Sequence, residues 1–398
     1  MKSLPAINLA AFFFAFPISA YMSPHSVEFV PAKRILQNLE AQIAKSPSDG
    51  GLRVQYARTL SLAYAQQASA TNADARIRVP AERSAYSKEQ IHVQAMRSFE
   101  NRKEATNSTS NPTSKTYLTN AIEQYKRAML LGQTNILAYL GQGWCLKEDR
   151  QTNAAIESLR KAFELSKAFR QALPPGGPGM RYHSDLDVTG EICEYLIALL
   201  DPSKDAAEIA AVAQIKARLR RQSGYVTPIL VPLSDDPNPE HYVNRNASVP
   251  FDLNGMDSRK RWQWIRKNAA WLVYCSDTKA QKITSGRQMF GNVTFFLFWS
   301  DGFAALRVLD DDHNGVLDGS ELDHLCLWQD ANSNGASDPG EVVTLKESNI
   351  TALGLTNIRS EHEALICREG ARFGNSWRPT FDIMLKPNQG WSLAKALR

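Results

Sequence analysis

Cysteine is scarce and scattered in this 398-residue chain. The five present, Cys145, Cys193, Cys275, Cys326 and Cys367, form no C-x2-C pair, which excludes a zinc ribbon and a dithiol redox motif. Their number is odd, so at least one thiol stays free or pairs between chains, and a bridge between two of Cys275, Cys326 and Cys367 is left open. Histidine offers catalysis little. His25, His92, His183, His241, His313, His324 and His362 show no i, i+4 pairing and no H-E-x-x-H. The G-x-S-x-G turn, the phosphate-binding loop and the dinucleotide fingerprint are missing as well. Beyond residue 20 no stretch reaches about 18 uninterrupted apolar residues, so no integral membrane segment is expected in the mature chain. A dominant sign of charge is also lacking: the formal net charge is +5. The basic clusters Lys216-Arg218-Arg220-Arg221 and Arg259-Lys260-Arg261 read as solvated faces, so no nucleic-acid partner is expected.

Hydrophobic residues make up 43% and charged residues 22%, ordinary usage for a globular chain long enough for two or three domains. The first twenty residues place Lys2 ahead of an uncharged run from Leu4 to Phe16 and then Pro17-Ile18-Ser19-Ala20. A basic head, a short apolar core and a small-residue exit predict a signal peptide over 1–20, cleaved after Ala20, and hence a secreted or periplasmic protein.

Helices are predicted over 32–68 and 115–170, from apolar residues three and four apart such as Ile35, Leu36, Leu39 and Ile43. A polar insert near 69–114 separates them. In the second block Ala121, Tyr125 and Ala128 recur as Ala155, Leu159 and Ala162, an offset of 34 residues. With Tyr139, Gly143, Leu146 and Lys167 in order between and after them, this block resembles the tetratricopeptide repeat, in which small residues let paired helices approach. The resemblance implies a concave side bearing Leu137, Leu140, Trp144 and Lys147 and a protein or peptide partner. PPGGPG at 174–179 breaks the pattern, 186–222 returns to helix to cap the array, and TPILVPL at 227–233 reads as a short strand between prolines.

Two acidic twelve-residue segments stand nearly back to back further on. The first carries Asp310, Asp312, Asn314, Gly315, Val316, Asp318 and Glu321, the second Asp330, Asn332, Asn334, Gly335, Ala336, Asp338 and Glu341. Both fit D-x-[DN]-x-[DN]-G-x5-E. Oxygens at positions 1, 3, 5 and 9, the carbonyl at position 7 (Val316, Ala336) and both oxygens at position 12 can surround a cation, and hard oxygen donors select Ca2+ at two sites. Asp318 with Glu321, and Asp338 with Glu341, also suit helix N-caps, but capping leaves Asp310, Asp312 and Asn314 unexplained. Four carboxylates in the first loop against three in the second predict that the first fills first. Only Leu322 to Gln329 lie between the loops, so a shared connecting helix is expected there and two full helix-loop-helix units are excluded. A groove-opening response is therefore disfavoured and a structural role favoured.

From Val249 onward VPFDLNG, RWQWIRKNAAWLVY, ITSGRQMFGN, DGFAALRVLDDDHNGVLDGSEL and LCLWQDANSNGASDPGEV follow in an order that resembles the calcium-binding region of bacterial secreted repeat-in-toxin proteins. The similarity is greater still to exported bacterial proteins that join helical repeats to this unit. It implies calcium binding and fold stabilisation, and no catalytic activity. Lys279, Gln281 and Lys282 stand where that family places oxygen ligands and glycine, so metal is restricted to the last two loops, and the earlier segments are left to packing around Trp271, Phe290 and Phe298.

The expected fold is α+β and multidomain: a signal peptide over 1–20, an all-α tetratricopeptide-like array over 21–222, a linker over 223–248, and a mixed α/β domain with two EF-hand-like loops over 249–398. Seven of the eight tryptophans follow residue 260, in keeping with a separate aromatic-dense domain. The expected function is an exported calcium-binding scaffold. A calcium-stabilised extracellular hydrolase of polysaccharide or peptide is the alternative.

Overall fold

A computed structural model describes residues 31–65, 112–132, 135–172, 183–219, 226–255, 260–275, 282–356, 358–361 and 364–388. Residues 1–20, expected as a signal peptide, nearly all of the polar insert, the PPGGPG stretch and Met256, Asp257, Lys279 and Gln281 lie outside the described residues.

Seven helices precede the first strand among the described residues: α1 (Ala32–Lys45), α2 (Gly50–Ala65), α3 (Pro112–Leu131), α4 (Ile136–Glu148), α5 (Thr152–Ala172), α6 (His183–Leu199) and α7 (Ala206–Leu219). Asn135 starts α4 by accepting a hydrogen bond from the Ala138 amide at 3.1 Å, which satisfies a donor that the first helical turn leaves open. All six residues of the 34-residue offset, Ala121, Tyr125, Ala128, Ala155, Leu159 and Ala162, are fully buried. Leu140 and Trp144 of the expected concave side are buried too, in the helical core, while Leu137 and Lys147 are half-buried. None of the described helices is long and apolar enough to cross a membrane.

The C-terminal part is a curled antiparallel sheet, so the molecule is α+β. Its strands are β1 (Ile229–Pro232), β2 (Val243–Pro250), β3 (Arg261–Ile265), β4 (Ala269–Tyr274), β5 (Val316–Asp318), β6 (Leu325–Trp328), β7 (Val342–Thr344), β8 (Ile350–Gly354), β9 (Ile358–Glu361), β10 (Ala364–Phe373) and β11 (Ser376–Ile383). Nine of them form one sheet in the order β5-β8-β10-β11-β1-β4-β6-β7, with β9 on β10, and β2 pairs with β3 apart from it. Every residue of β1, β4 and β6 is buried, as expected of strands covered on both faces. Residues 223–248, expected as a linker, thus contribute the strand at the centre of the sheet and the start of β2, and the sheet domain begins well before Val249.

The connecting helix expected over Leu322–Gln329 is absent. A 3-10 turn (Gly319–Leu322) gives way to β6, which pairs with β4 in the register Trp271 to Trp328 and Tyr274 to Leu325. Leu325-Cys326-Leu327-Trp328 is a short continuous apolar run, which periodicity alone cannot assign to helix or strand; burial on both faces decides for strand.

Two cores flank the sheet. On one face Trp262, Trp264, Trp271 and Trp328 gather around Phe251, with Phe251, Trp264 and Trp328 ring centroids 5.3–5.7 Å apart. On the other, Ile229, Leu272, Phe290 and Leu309 pack with Ile35 and Leu39 of α1 and Leu62 of α2. The segments VPFDLNG and ITSGRQ pack against each other, with the Ser285 hydroxyl donating to Asp252 Oδ2 at 2.8 Å. A Cβ on Gly286 would sit 1.8 Å from the Leu253 carbonyl oxygen, so this contact admits only glycine. All five cysteines are buried and unbridged, so no bridge joins any two of Cys275, Cys326 and Cys367.

Candidate metal centres

The first loop leaves a short helix, α8 (Gly302–Leu306), through the 3-10 turn Arg307–Leu309, and ends in β5 and the turn Gly319–Leu322. The second is carried from β6 into β7, so it is flanked by strands. Although their flanks differ, the two loops close on the same hydrogen bonds. At position 1, Asp310 accepts the Asn314 amide at 3.1 Å on Oδ1 and the Gly315 amide at 3.0 Å on Oδ2. Asp330 accepts Asn334 at 3.1 Å and Gly335 at 2.9 Å in the same way. Position 3 follows: Asp312 and Asn332 each accept the position-5 amide at 3.0 Å. The side-chain oxygens of Asn314 and Asn334 in turn accept the amides of Val316 and Ala336 at 2.7 Å.

Position 12 locks both turns. Glu321 accepts the Asp311 amide at 2.5 Å on Oε1 and the Asp318 amide at 3.1 Å on Oε2; Glu341 accepts Ala331 at 3.0 Å and Asp338 at 3.1 Å. These bonds need left-handed backbone at position 4 (His313, φ 59°; Ser333, φ 55°) and at position 6 (Gly315, φ 85°; Gly335, φ 71°). At position 6 glycine is required twice over, because a Cβ on Gly335 would lie 2.7 Å from the Pro250 carbonyl oxygen.

Donor atoms of Asp310, Asp312 and Glu321 lie within 4.8 Å of one another, so this triad can hold a metal ion. At such separations and an effective dielectric near 20, each pair of like charges repels by roughly 3 kcal/mol, a cost that a divalent cation reverses. Asp310 and Glu321 are buried at 4% and 7% exposure, whereas Asp312, Asn314 and Asp318 face solvent. In the second loop Asn332 replaces the third carboxylate. Asp330 is 1% exposed, and burial pushes its carboxyl up, against the opposing pull of the Gly335 and Asn334 amides and the Trp264 indole. Asp338 is held below the ordinary range because the Asn332 and Asn334 side-chain amides donate to it at 2.9 and 2.8 Å.

Sequence reasoning missed the residues that hold the loops in place. Trp264 Nε1 donates to Asp330 Oδ2 at 2.8 Å, and Ser337 Oγ accepts the Ile283 amide at 2.9 Å, so the second loop is tied to the sheet domain itself. The first is tied elsewhere. Arg34 and Asn38 of α1 donate to Asp311 Oδ1 at 2.8 and 2.7 Å. No local pattern announces these partners, which stand 54, 66 and more than 270 residues away from the groups they touch. The loops do not pair with each other: Leu317 is buried in β5 against β8, and Ser337 faces Ile283.

No curated protein matches this chain. Over residues 235–373, which hold both loops and the strands from β2 to β10, it is similar to the SPM domain, whose family model matches there.

Proposed function

We propose that this protein is an exported calcium-binding scaffold, in which two Ca2+ ions lock EF-hand-type loops of the sheet domain while a tetratricopeptide-like helical array holds a protein or peptide partner. The observation that carries the metal reading is repetition: two loops with different flanks and different packing partners close on one hydrogen-bond pattern. Chance or tertiary packing would not impose the same turns at the same positions. In the first loop the donor atoms of Asp310, Asp312 and Glu321 lie within 4.8 Å of one another, which supports a site for a hard cation that takes six to eight oxygen ligands. The motif order, similar to that of secreted repeat-in-toxin proteins, supports calcium, and the leader-like first twenty residues support export to where calcium is plentiful. The buried small positions of the 34-residue offset support the repeat reading.

The ions act structurally in this reading. A groove-opening sensor needs helices on both sides of a loop to swing, and the second loop runs from strand to strand. Calorimetric titration of the full chain with Ca2+ and with Mg2+ tests the proposal. Two calcium sites in the micromolar to millimolar range are expected, with Mg2+ weaker because these loops present more oxygens than its octahedral shell accepts. Absence of calcium uptake at millimolar concentration overturns it.

A further inference from the structure

The two loops share the backbone hydrogen bonds that close them and differ in what grips them from outside. Helix α1 carries Arg34, Asn38 and Gln42 at i, i+4 and i+8, one polar row along one face. Arg34 Nη2 donates to the Leu309 carbonyl at 2.5 Å, Asn38 Nδ2 to Val308 at 2.9 Å, and Gln42 Nε2 to Arg307 at 3.1 Å. Those carbonyls belong to the 3-10 turn that delivers Asp310; the Arg307 carbonyl also accepts the Asp310 amide at 3.4 Å, and α1 adds a side-chain donor to each of the three. Beside the row, Ile35 and Leu39 are fully buried in the core shared with the sheet.

Asp311 joins the two systems. Its carboxylate takes Arg34 and Asn38, while its backbone amide donates to Glu321 Oε1, the carboxylate at position 12. One residue is therefore held by the helical array through its side chain and by the candidate ligand set through its backbone. The second loop has Ala331 at this position, which can make only the backbone half of the contact.

We infer that the first loop is a calcium-dependent joint: ion binding there and docking of α1 on the sheet domain stabilise each other, while the second loop binds independently of the helices. This rests on the calcium reading above. Docked α1 fixes the backbone of residues 307–311 in the binding geometry, so a docked loop binds more tightly, and by reciprocity a filled loop holds α1 more firmly.

Hydrogen exchange of the full chain during titration with Ca2+ reads loop amides 310–321, loop amides 330–341 and α1 separately. In the wild type, protection of α1 is expected to rise with the midpoint of the first loop. Asn38→Ala with Gln42→Ala removes three uncharged donor contacts and no ligand, and is expected to weaken the first loop by about 5- to 10-fold while leaving the second unchanged. Gln42→Ala alone is the milder variant should the double one not fold, with a shift of about twofold in the same direction. Calcium uptake at both loops with unchanged midpoints in the variants, or with α1 exchange indifferent to calcium, overturns the coupling and leaves calcium binding standing. No uptake by the wild type overturns the calcium reading and this joint with it.

Discussion

At position 3 the loops differ by a single functional group, Asp312 in the first and Asn332 in the second, with the same amide bonded at 3.0 Å in each. Asp312→Asn should therefore keep the turn and remove one ligand charge, weakening calcium at the first loop by about tenfold, near 1.4 kcal/mol. Asn332→Asp should strengthen the second loop and destabilise the calcium-free protein, because Asn332 now donates to Asp338 and a carboxylate there would repel it. Calorimetry on both variants checks the pair; unchanged affinities would mean that these side chains face no ion. A second carboxylate far from the loops sets a pH dependence of its own. Asp382 is 1% exposed, accepts the Gly302 amide at 2.6 Å on Oδ2, and leaves Oδ1 without a hydrogen bond. The Thr227 hydroxyl is close enough to favour the anion, yet its geometry completes no bond. Burial, aided by the neighbouring Asp301, pushes the Asp382 carboxyl well above its ordinary 3.8. The folded state then binds more protons than the unfolded one, so stability falls as pH rises from about 3.8 through the folded value. Asp382→Asn removes this slope. Urea unfolding at several pH values should show the variant gaining on the wild type by up to about 1.4 kcal/mol per pH unit in that window, and parallel curves would contradict it.

Helix pairs are set by what glycine leaves room for. A Cβ on Gly141 of α4 would lie 2.2 Å from the Tyr125 ring, and one on Gly143 would lie 2.7 Å from Leu159 Cγ. Gly190, inside α6, has nothing within 4 Å of the same point. Alanine is favoured over glycine in a helix by about 1 kcal/mol, so the three positions separate propensity from packing. Gly190→Ala should stabilise by up to about 1 kcal/mol, while Gly141→Ala should destabilise by up to about 2 kcal/mol net, since overpacking against a fully buried tyrosine outweighs propensity. Thermal unfolding of the two single variants decides, and the same sign in both would refute the packing account. Gly143 and Leu159 stood out in the sequence at small and large positions of the 34-residue offset, but that they meet each other is seen only in the fold. The helices and both acidic loops were legible because their information is local, a period of 3.6 or a fixed spacing of oxygens. The strands between the loops were not, since Leu325–Trp328 is apolar on every residue and takes its identity from β4 and β7 on either side. Ile229–Pro232 was legible as a short strand, but not as a central one, because its partners, β4 and β11, lie about 40 and about 150 residues away.

Across the whole molecule the helical array and the sheet domain exchange side chains. Ile35, Leu39 and Leu62 belong to the core under the sheet, and Phe296 and Phe298 from the sheet domain belong to the helical core. Phe295, Phe296 and Phe298 hold φ of 53°, 58° and 56°, a left-handed backbone that costs an L residue about 1–2 kcal/mol each. Contacts from both sides pin this segment: fully buried Arg58 of α2 donates to the Phe296 carbonyl at 2.8 Å, and the Arg287 guanidinium stacks 3.9 Å from the centroid of the Phe296 ring. Such strain persists only where neighbours over-determine it, and here the neighbours come from both parts of the chain. Neither part can keep its core intact once the other unfolds, so the described residues should melt as one cooperative unit. Calcium bound only to the sheet domain should then protect the helices too. With both loops at about 100 times their Kd, each ion adds about 2.7 kcal/mol, and chelation should lower the single transition by roughly 5–10 °C. Scanning calorimetry with tryptophan fluorescence and far-ultraviolet circular dichroism recorded on the same samples makes the check, since six of the seven tryptophans among the described residues report on the sheet side and the helices dominate the dichroism. Coincident curves that move together on chelation support one unit. Two transitions, of which chelator moves only the one seen by tryptophan, would show that the shared core does not couple the parts and that the strained phenylalanines are held by the sheet domain alone.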